Sequence, residues 1–216
     1  MIAILLGAPG SGKGTQAKFL SSKYGLTHLA TGDIFRNEIA EKTPLGIKAQ
    51  SYVKAGKLVP DDLVTEMVAA RFNSKEGRYL LDGFPRNLTQ AQSLSSILAH
   101  ENLSIDLVVL LKISQELALE RIVSRRVCSQ CGEVYNIQTK PAPGGKCLSC
   151  GGEVILREDD SETTARKRLM VFEDITRPMI AYYQSESIFK EVDAGRKPEE
   201  VSVALSMFVD SIFAKS

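Results

Sequence analysis

The sequence predicts an α/β fold of three layers, with helices on both faces of a mainly parallel five-stranded sheet. Three observations predict it. Short apolar runs, mostly rich in Ile, Val, Leu or Tyr, recur at 2–6, about 27–30, 78–81, 107–111 and about 188–192. Helical stretches lie between them, among them 13–24, 61–73, 87–98 and 115–126. The first run, Met1-Ile-Ala-Ile-Leu-Leu6, feeds a glycine-rich turn, Gly7-Ala-Pro-Gly-Ser-Gly-Lys-Gly-Thr15, that opens directly into a helix. Crossovers between such strands are right-handed, and ligands gather outside the carboxyl ends of the strands.

The glycine-rich turn is the strongest single signal. Glycines let the backbone wrap closely around an anion with N–H groups aimed inward. The new helix adds its positive dipole end, and Lys13 supplies a full charge for β- and γ-phosphates. Residues Gly10, Ser11, Gly12, Lys13, Gly14 and Thr15 are therefore read as a nucleoside-triphosphate cradle. Gly14 stands where the general pattern has the Ser or Thr that ligates Mg²⁺, and Thr15 follows it, so the pattern assigns no hydroxyl to the metal.

Bulk properties bound the remaining choices. At 216 residues, 44% of them hydrophobic, the chain can bury one sizeable core. A net charge of +1 offers no global field for nucleic acid or an anionic membrane. No apolar run approaches the roughly 20 residues of a membrane span. The chain opens on a strand with no basic leader or cleavage site, so no signal peptide is expected and the cytoplasm is the default.

Two stretches break the strand–helix alternation. Residues 31–60 hold small helical pieces around 33–41 and 45–55, then the Gly56-Lys-Leu-Val-Pro60 turn. Residues 127–160 carry all four cysteines, two prolines and five glycines without helical periodicity, and read as a small β-rich insert. Both are expected as insertions in one core made of 1–30, 61–126 and 161–216.

Within the second insert, Cys128-Ser-Gln-Cys131 is followed after fifteen residues by Cys147-Leu-Ser-Cys150. That spacing reads as a closed, structural four-thiolate zinc site; Fe or Co could also occupy it. Gly132, Gly151 and Gly152 follow the knuckles, where tight turns can point backbone N–H groups at sulfur. A metal would hold the insert folded with little buried apolar surface. A redox role for either pair lacks the single reactive couple at a helix start.

Phosphoryl transfer concentrates negative charge, which guanidinium forks grip. Arg121 and Arg125, spaced i,i+4, are expected to share one face of the 115–126 helix. Arg157 lies before Asp159-Asp160, Arg166 and Arg168 lie on the next helix, and Arg36 and Arg86 flank loops. In Tyr79-Leu-Leu-Asp82-Gly-Phe-Pro-Arg86 a buried strand ends on an acid, which is placed to orient Mg²⁺ or its waters. His28 and His100 are read as structural and as a surface residue, so no general base of special pKa is expected.

Taken together, Gly7–Thr15, Thr31-Gly-Asp33 with Arg36, Leu81-Asp-Gly-Phe-Pro-Arg86 with Gln90, Arg121-Ile-Val-Ser-Arg125-Arg126, and Asp159-Asp160 with Arg166-Lys-Arg168 resemble the adenylate kinase family over essentially the whole chain. The cysteine insert resembles the zinc-containing lid of its long bacterial type. The resemblance implies a P-loop NTPase-like fold and the reaction ATP + AMP ⇌ 2 ADP with Mg²⁺; a monomer is expected, and the charge balance and the lack of an apolar span predict no nucleic-acid or membrane partner. It assigns ATP contacts to residues 10–15, Arg121, Arg125, Val134, Tyr135 and the region of Arg196. It assigns AMP contacts to Thr31, Arg36, Lys57, Leu58, Val59, Gly83, Phe84, Pro85, Arg86 and Gln90, with Arg157 and Arg168 reaching across the AMP and transferred phosphates. Lys13, Asp82 and the arginines 86, 121, 125, 157 and 168 would carry the catalysis. Gln90 suits adenine because a side-chain amide both donates and accepts. In such a family the 31–60 insert and the lid close over both nucleotides, which keeps water from competing for the γ-phosphoryl group.

Two other readings compete. Kinases of other nucleoside monophosphates, such as UMP/CMP kinase, are opposed by Thr31, Gln90 and the long insert. A zinc-ribbon module on a nucleotide-gated switch is opposed by composition. Between Cys131 and Cys147 only Lys140 and Lys146 are basic and only Tyr135 is aromatic, too little for counterion release from nucleic acid.

Overall fold

The computed structural model describes residues 1–72 and 77–214. Five parallel strands form the central sheet: β1 (Ile2–Gly7), β2 (Thr27–Ala30), β3 (Tyr79–Asp82), β4 (Leu107–Lys112) and β8 (Phe189–Asp193), in the spatial order β2-β3-β1-β4-β8. Each lies within one residue of an expected apolar run. Those runs are continuous rather than alternating because the sheet is covered on both faces. Along β1, Ile2, Ile4 and Leu6 join one apolar cluster with Leu81, Val108 and Leu110, while Ala3 and Leu5 join the other with Leu80, Val109 and Leu111.

One face packs against α1 (Lys13–Tyr24) and the carboxyl-terminal α9 (Pro198–Phe213), through Ala17, Leu20, Val201, Leu205 and Val209. The other packs against α4 (Asp61–Ala69), α5 (Leu88–His100), α6 (Gln115–Val123), α7 (Glu162–Val171) and α8 (Arg177–Gln184), through Val64, Met67, Leu94, Leu98, Ile122, Leu169 and Ile180. A π-helical turn, Phe172–Thr176, joins α7 to α8. Helix α4 is shorter than its expected 61–73 span, whose last residue lies outside the described residues.

The stretch 31–60 folds as α2 (Thr31–Ala40) and α3 (Pro44–Lys54). Thr43 caps α3 by accepting the Gly46 N–H at 3.1 Å, and Pro44 follows in the first turn. The two helices touch so closely that a Cβ on Gly46 would fall 2.0 Å from the Glu38 carbonyl oxygen.

One expectation fails here. Helix α6 stops at Val123, and Arg125 begins β5 (Arg125–Cys128), the centre of a small antiparallel sheet ordered β6-β5-β7 with β6 (Val134–Asn136) and β7 (Val154–Ile155). Arg121 and Arg125 therefore do not share a helix face. Ser124 turns its hydroxyl onto the Glu120 carbonyl at 2.6 Å and also accepts from Asn136 Nδ2 at 2.7 Å, so the chain leaves the helix to pair with β6. The small sheet meets the central unit where Lys18 of α1 donates to the Gly132 carbonyl at 3.1 Å.

Candidate active site

The turn after β1 owes its shape to three glycines with positive φ: Gly7 at +150°, Gly10 at +84° and Gly12 at +88°. A Cβ on Gly10 would sit 2.4 Å from the Ala118 carbonyl oxygen, because α6 backs directly onto the loop. Gly12 caps α1 without a side-chain hydrogen bond, which leaves the first-turn N–H groups available to an anion. The Ser11 hydroxyl is buried and has no partner among the described residues. Thr15 lies exposed on the first turn.

Lys13 folds its ammonium back onto the Gly7 and Ala8 carbonyls, at 2.7 and 3.0 Å. Burial pushes its pKa down to about 8; Asp82 opposes the shift, while Arg86, Arg168 and Arg125 add to it. Asp82 ends β3 beside the loop, where a Cβ on Gly14 would lie 3.7 Å from its Oδ2. The same oxygen is 3.4 Å from Nε2 of His28 on β2, so His28 is held by the sheet edge; His100 stands exposed at the end of α5.

A pocket opens between α2, α3, the 56–59 turn and the loop after β3. It is lined by Thr31, Arg36, Lys57, Leu58, Val59, Gly83, Arg86, Gln90 and Arg168, all singled out by the sequence. Phe84 and Pro85 are buried and do not line it. Phe35, Val53 and Val64 do line it and were missed, and so does Asp159, which carries part of the family resemblance without an assigned role. The apolar members belong to the inward faces of α2, α3 and α4, a signal present in their periodicity but shared with any core residue.

The polar side of the pocket is tightly arranged. The Gly83 carbonyl accepts from Thr31 Oγ1 at 2.9 Å and from Arg86 Nε at 2.7 Å. At φ +77° a Cβ on Gly83 would lie 3.0 Å from Arg86 Nη2 and 3.1 Å from Thr31 Oγ1. Gln90 is 1% exposed; its Oε1 accepts the Arg86 backbone N–H at 2.7 Å and its Nε2 donates to Asp61 Oδ1 at 2.7 Å.

Between pocket and loop the arginines converge on two buried aspartates. Arg125 binds Asp160 through Nε at 2.7 Å and Nη2 at 2.5 Å, and Arg168 Nη1 reaches Asp159 Oδ2 and Asp160 Oδ1, both at 3.0 Å. Arg36 pairs with Asp33 at 2.6 Å and lies 3.6 Å from Asp159, while Arg157 lies 3.6 Å from Asp33. Burial, with neighbouring arginines, pushes Arg86 and Arg157 down to about 10. Burial works against the charge of Asp160, yet its hydrogen bonds from Arg125 hold it below the usual carboxylate range. Such a crowd of cations, only partly matched by carboxylates, is complementary to a polyanion. Arg121 lies apart, donating to the Ala194 and Gly195 carbonyls at 2.8 and 3.5 Å; Arg196, on that same loop, is exposed and 3.5 Å from Asp193. Arg166 pairs with Glu162 on the outer face of α7.

In the small sheet the four cysteine sulfurs lie within 4.8 Å of one another. Four thiolates held at about 2.3 Å from one tetrahedral ion stand about 3.8 Å apart, so the donor set fits zinc. Backbone N–H groups do turn onto sulfur, as at Gln130 on Cys128, 3.4 Å away. The glycines serve the turn itself: Gly132 and Gly151 donate to the Cys128 and Cys147 carbonyls, at 3.1 and 2.8 Å. Tyr135 is buried with its hydroxyl 3.4 Å from Cys147 Sγ, and it accepts the Leu148 N–H at 2.8 Å. That hydroxyl holds Cys147 down to about 6. The Tyr135 side chain is thus committed to the cysteines, and Val134 stands half-buried beside it on β6.

A family model described as Adenylate kinase matches residues 5–188. The chain is 45% identical to the adenylate kinase of Clostridium beijerinckii over 204 residues, which is 93% of this chain and 94% of the relative. It is 44% identical to that of Clostridium perfringens over 98% of this chain and 99% of the relative. With that of Clostridium tetani the figures are 43% identity, 98% and 100%.

Proposed function

The chain belongs to the adenylate kinase family and is a nucleoside monophosphate kinase, and from that premise we propose that it moves the γ-phosphoryl group of ATP to AMP with Mg²⁺, under a lid fastened by zinc. The observation that carries this reading is the pocket lined by Thr31, Gly83, Arg86 and Gln90, which adjoins Asp82, whose Oδ2 would lie 3.7 Å from a Cβ on Gly14 of the glycine loop.

Residues 10–15 would wrap the ATP phosphates, with Lys13 leaving the Gly7 and Ala8 carbonyls for β- and γ-oxygens. Arg121 and the loop at Arg196 lie toward the ATP end, and Arg125 with Val134 and Tyr135 would contribute from the lid, residue 135 by its backbone. The monophosphate would sit in the pocket with its base at Gln90 and its phosphate toward Arg36, Arg86, Arg157 and Arg168. A phosphate oxygen of AMP forms the new bond to the γ-phosphorus as the bond from that phosphorus to the β-bridging oxygen breaks, giving two ADP. The attacking oxygen is already anionic, so no general base is required. Catalysis is then positioning and charge stabilisation by the cations named. When bound, Mg²⁺ supplies charge neutralisation on the phosphates, and Asp82 is the carboxylate placed to hold it or its waters. Zinc would be held by Cys128, Cys131, Cys147 and Cys150, a purely structural role because all four positions are filled. Residues 31–60 and 127–160 act as closing inserts on the core, excluding water from the transfer.

A panel of nucleoside monophosphates in a coupled ADP assay, with metal analysis of the same sample, tests the reading. AMP is expected to turn over fastest with one zinc per chain; faster turnover of UMP or CMP rejects the adenine assignment.

A further inference from the structure

We propose that Asp61 sets base selectivity in the monophosphate pocket by locking the orientation of the Gln90 amide, an inference that rests on reading that pocket as the AMP site. Asp61 does not line the pocket; it stands behind it, in the first turn of α4. There it accepts from Gln90 Nε2 at 2.7 Å and from Asn87 Nδ2 at 2.9 and 3.0 Å. Asn87 caps α5 and accepts the Gln90 backbone N–H at 2.8 Å, so α4 and α5 are tied together at the residue that meets the base.

The hydrogen-bond inventory makes this network directional. A carboxylate only accepts, so it must face the Gln90 NH₂; a backbone N–H only donates, so Arg86 must face the Gln90 oxygen. The reverse amide orientation would set oxygen against carboxylate and NH₂ against N–H. With one N–H and one oxygen lone pair so used, Gln90 has one donor and one acceptor left, in fixed order. That order matches adenine, whose 6-amino group donates beside an accepting ring nitrogen. It opposes a 6-oxo purine, which accepts where adenine donates. A neutral amide or hydroxyl at position 61 can donate as well as accept, so it removes one of the two constraints against the flipped Gln90 and leaves the Arg86 N–H alone to oppose it. Asp61 is thus a positioning residue, acting only through Gln90.

The test compares kcat/KM for AMP and for IMP in wild type, Asp61→Asn, Asp61→Ser, Gln90→Ala and Gln90→Ala combined with Asp61→Asn, with the KM for ATP as a control. Asp61→Asn is expected to raise the KM for AMP several-fold and to lower the AMP-over-IMP preference by about 10-fold, the scale of one charged hydrogen bond. The change in kcat and in the KM for ATP stays under about 2-fold, and Asp61→Ser behaves alike. In the Gln90→Ala background the substitution should alter the preference no further, because the two act as one unit. An unchanged preference in either variant, a loss that persists without Gln90, or an equal loss at the ATP site overturns the proposal and makes Asp61 a structural clamp. A wild-type enzyme that prefers another monophosphate overturns the AMP reading instead.

Discussion

The central sheet and the cysteine sheet solve the same problem with different means. Around β1, β3 and β4 nearly every strand residue is buried, and two apolar clusters sandwich the sheet between helices. Among the described residues the three-stranded sheet has a single small apolar cluster of Cys128, Tyr135 and Cys147, with Ala142 and Val154 packed against it and Val127 buried on β5, and it leaves Ile137, Leu148 and Ile155 exposed. So small an apolar nucleus does not offset the ordering of about thirty residues. The cysteine cluster is what remains to hold it. The difference teaches that burial fixes the glycine loop in place, while a metal held by the four cysteines would let the proposed lid be firm with little apolar core.

Removing the charge of the loop gives the largest expected effect. Lys13→Ala should lower kcat by about 10²–10³-fold, the scale of losing one preorganised donor. Its melting temperature should hold or rise. Lys13 has a folded pKa of about 8 against an ordinary 10.5, so below about pH 8 its buried charge costs stability, and that cost fades as pH rises between the two values. Calorimetry showing wild-type activity, or a marked loss of stability, would contradict the assignment.

The two sheets can be broken reciprocally. Cys128→Ser should weaken zinc by more than the about 10–100-fold expected for Tyr135→Phe, which removes only the hydroxyl on Cys147. Hydrogen exchange should rise across 125–155 and stay protected in β1 and β4. Leu80→Ala should do the opposite: a loss of about 2–5 kcal/mol in unfolding, with zinc content intact. If chelation leaves both the melting curve and lid exchange unchanged, the contrast between the sheets disappears.

Arg86→Ala should raise the KM for AMP by about 10–100-fold while changing that for ATP by about 3-fold or less, since Arg86 lines the pocket and not the glycine loop. Equal losses would remove the distinction between the two sides of the site. The smallest effect concerns protons. With Lys13 held down to about 8, ATP binding above that pH should take up protons, and affinity should fall as pH rises through about 8. Titration calorimetry in buffers of different ionisation heat measures it, and an absence of buffer dependence would contradict it.

Strands and the glycine loop were legible because each is local. A buried strand in a parallel sheet needs an unbroken apolar run, and a loop around phosphate needs glycines at fixed offsets before Lys13. The cysteine spacing was legible for the same reason. Arg121 and Arg125 were not: a periodicity of four read both as one helix face, whereas pairing with β6 pulled Arg125 into a strand and onto Asp160. Gln90 could be read as a base contact, but not that Asp61, 29 positions earlier, fixes its polarity. Phe84, which the resemblance assigns to the AMP side, is wholly buried and does not line the pocket.

The sequence by itself determined the layered fold, the glycine loop and the four-cysteine cluster, because periodicity, glycine conformation and ligand spacing act over a few residues. Only the tertiary structure decided which arginine meets which aspartate and which way Gln90 faces. Those pairings join residues tens of positions apart, and long side chains choose partners only once the sheets and helices have placed their backbones.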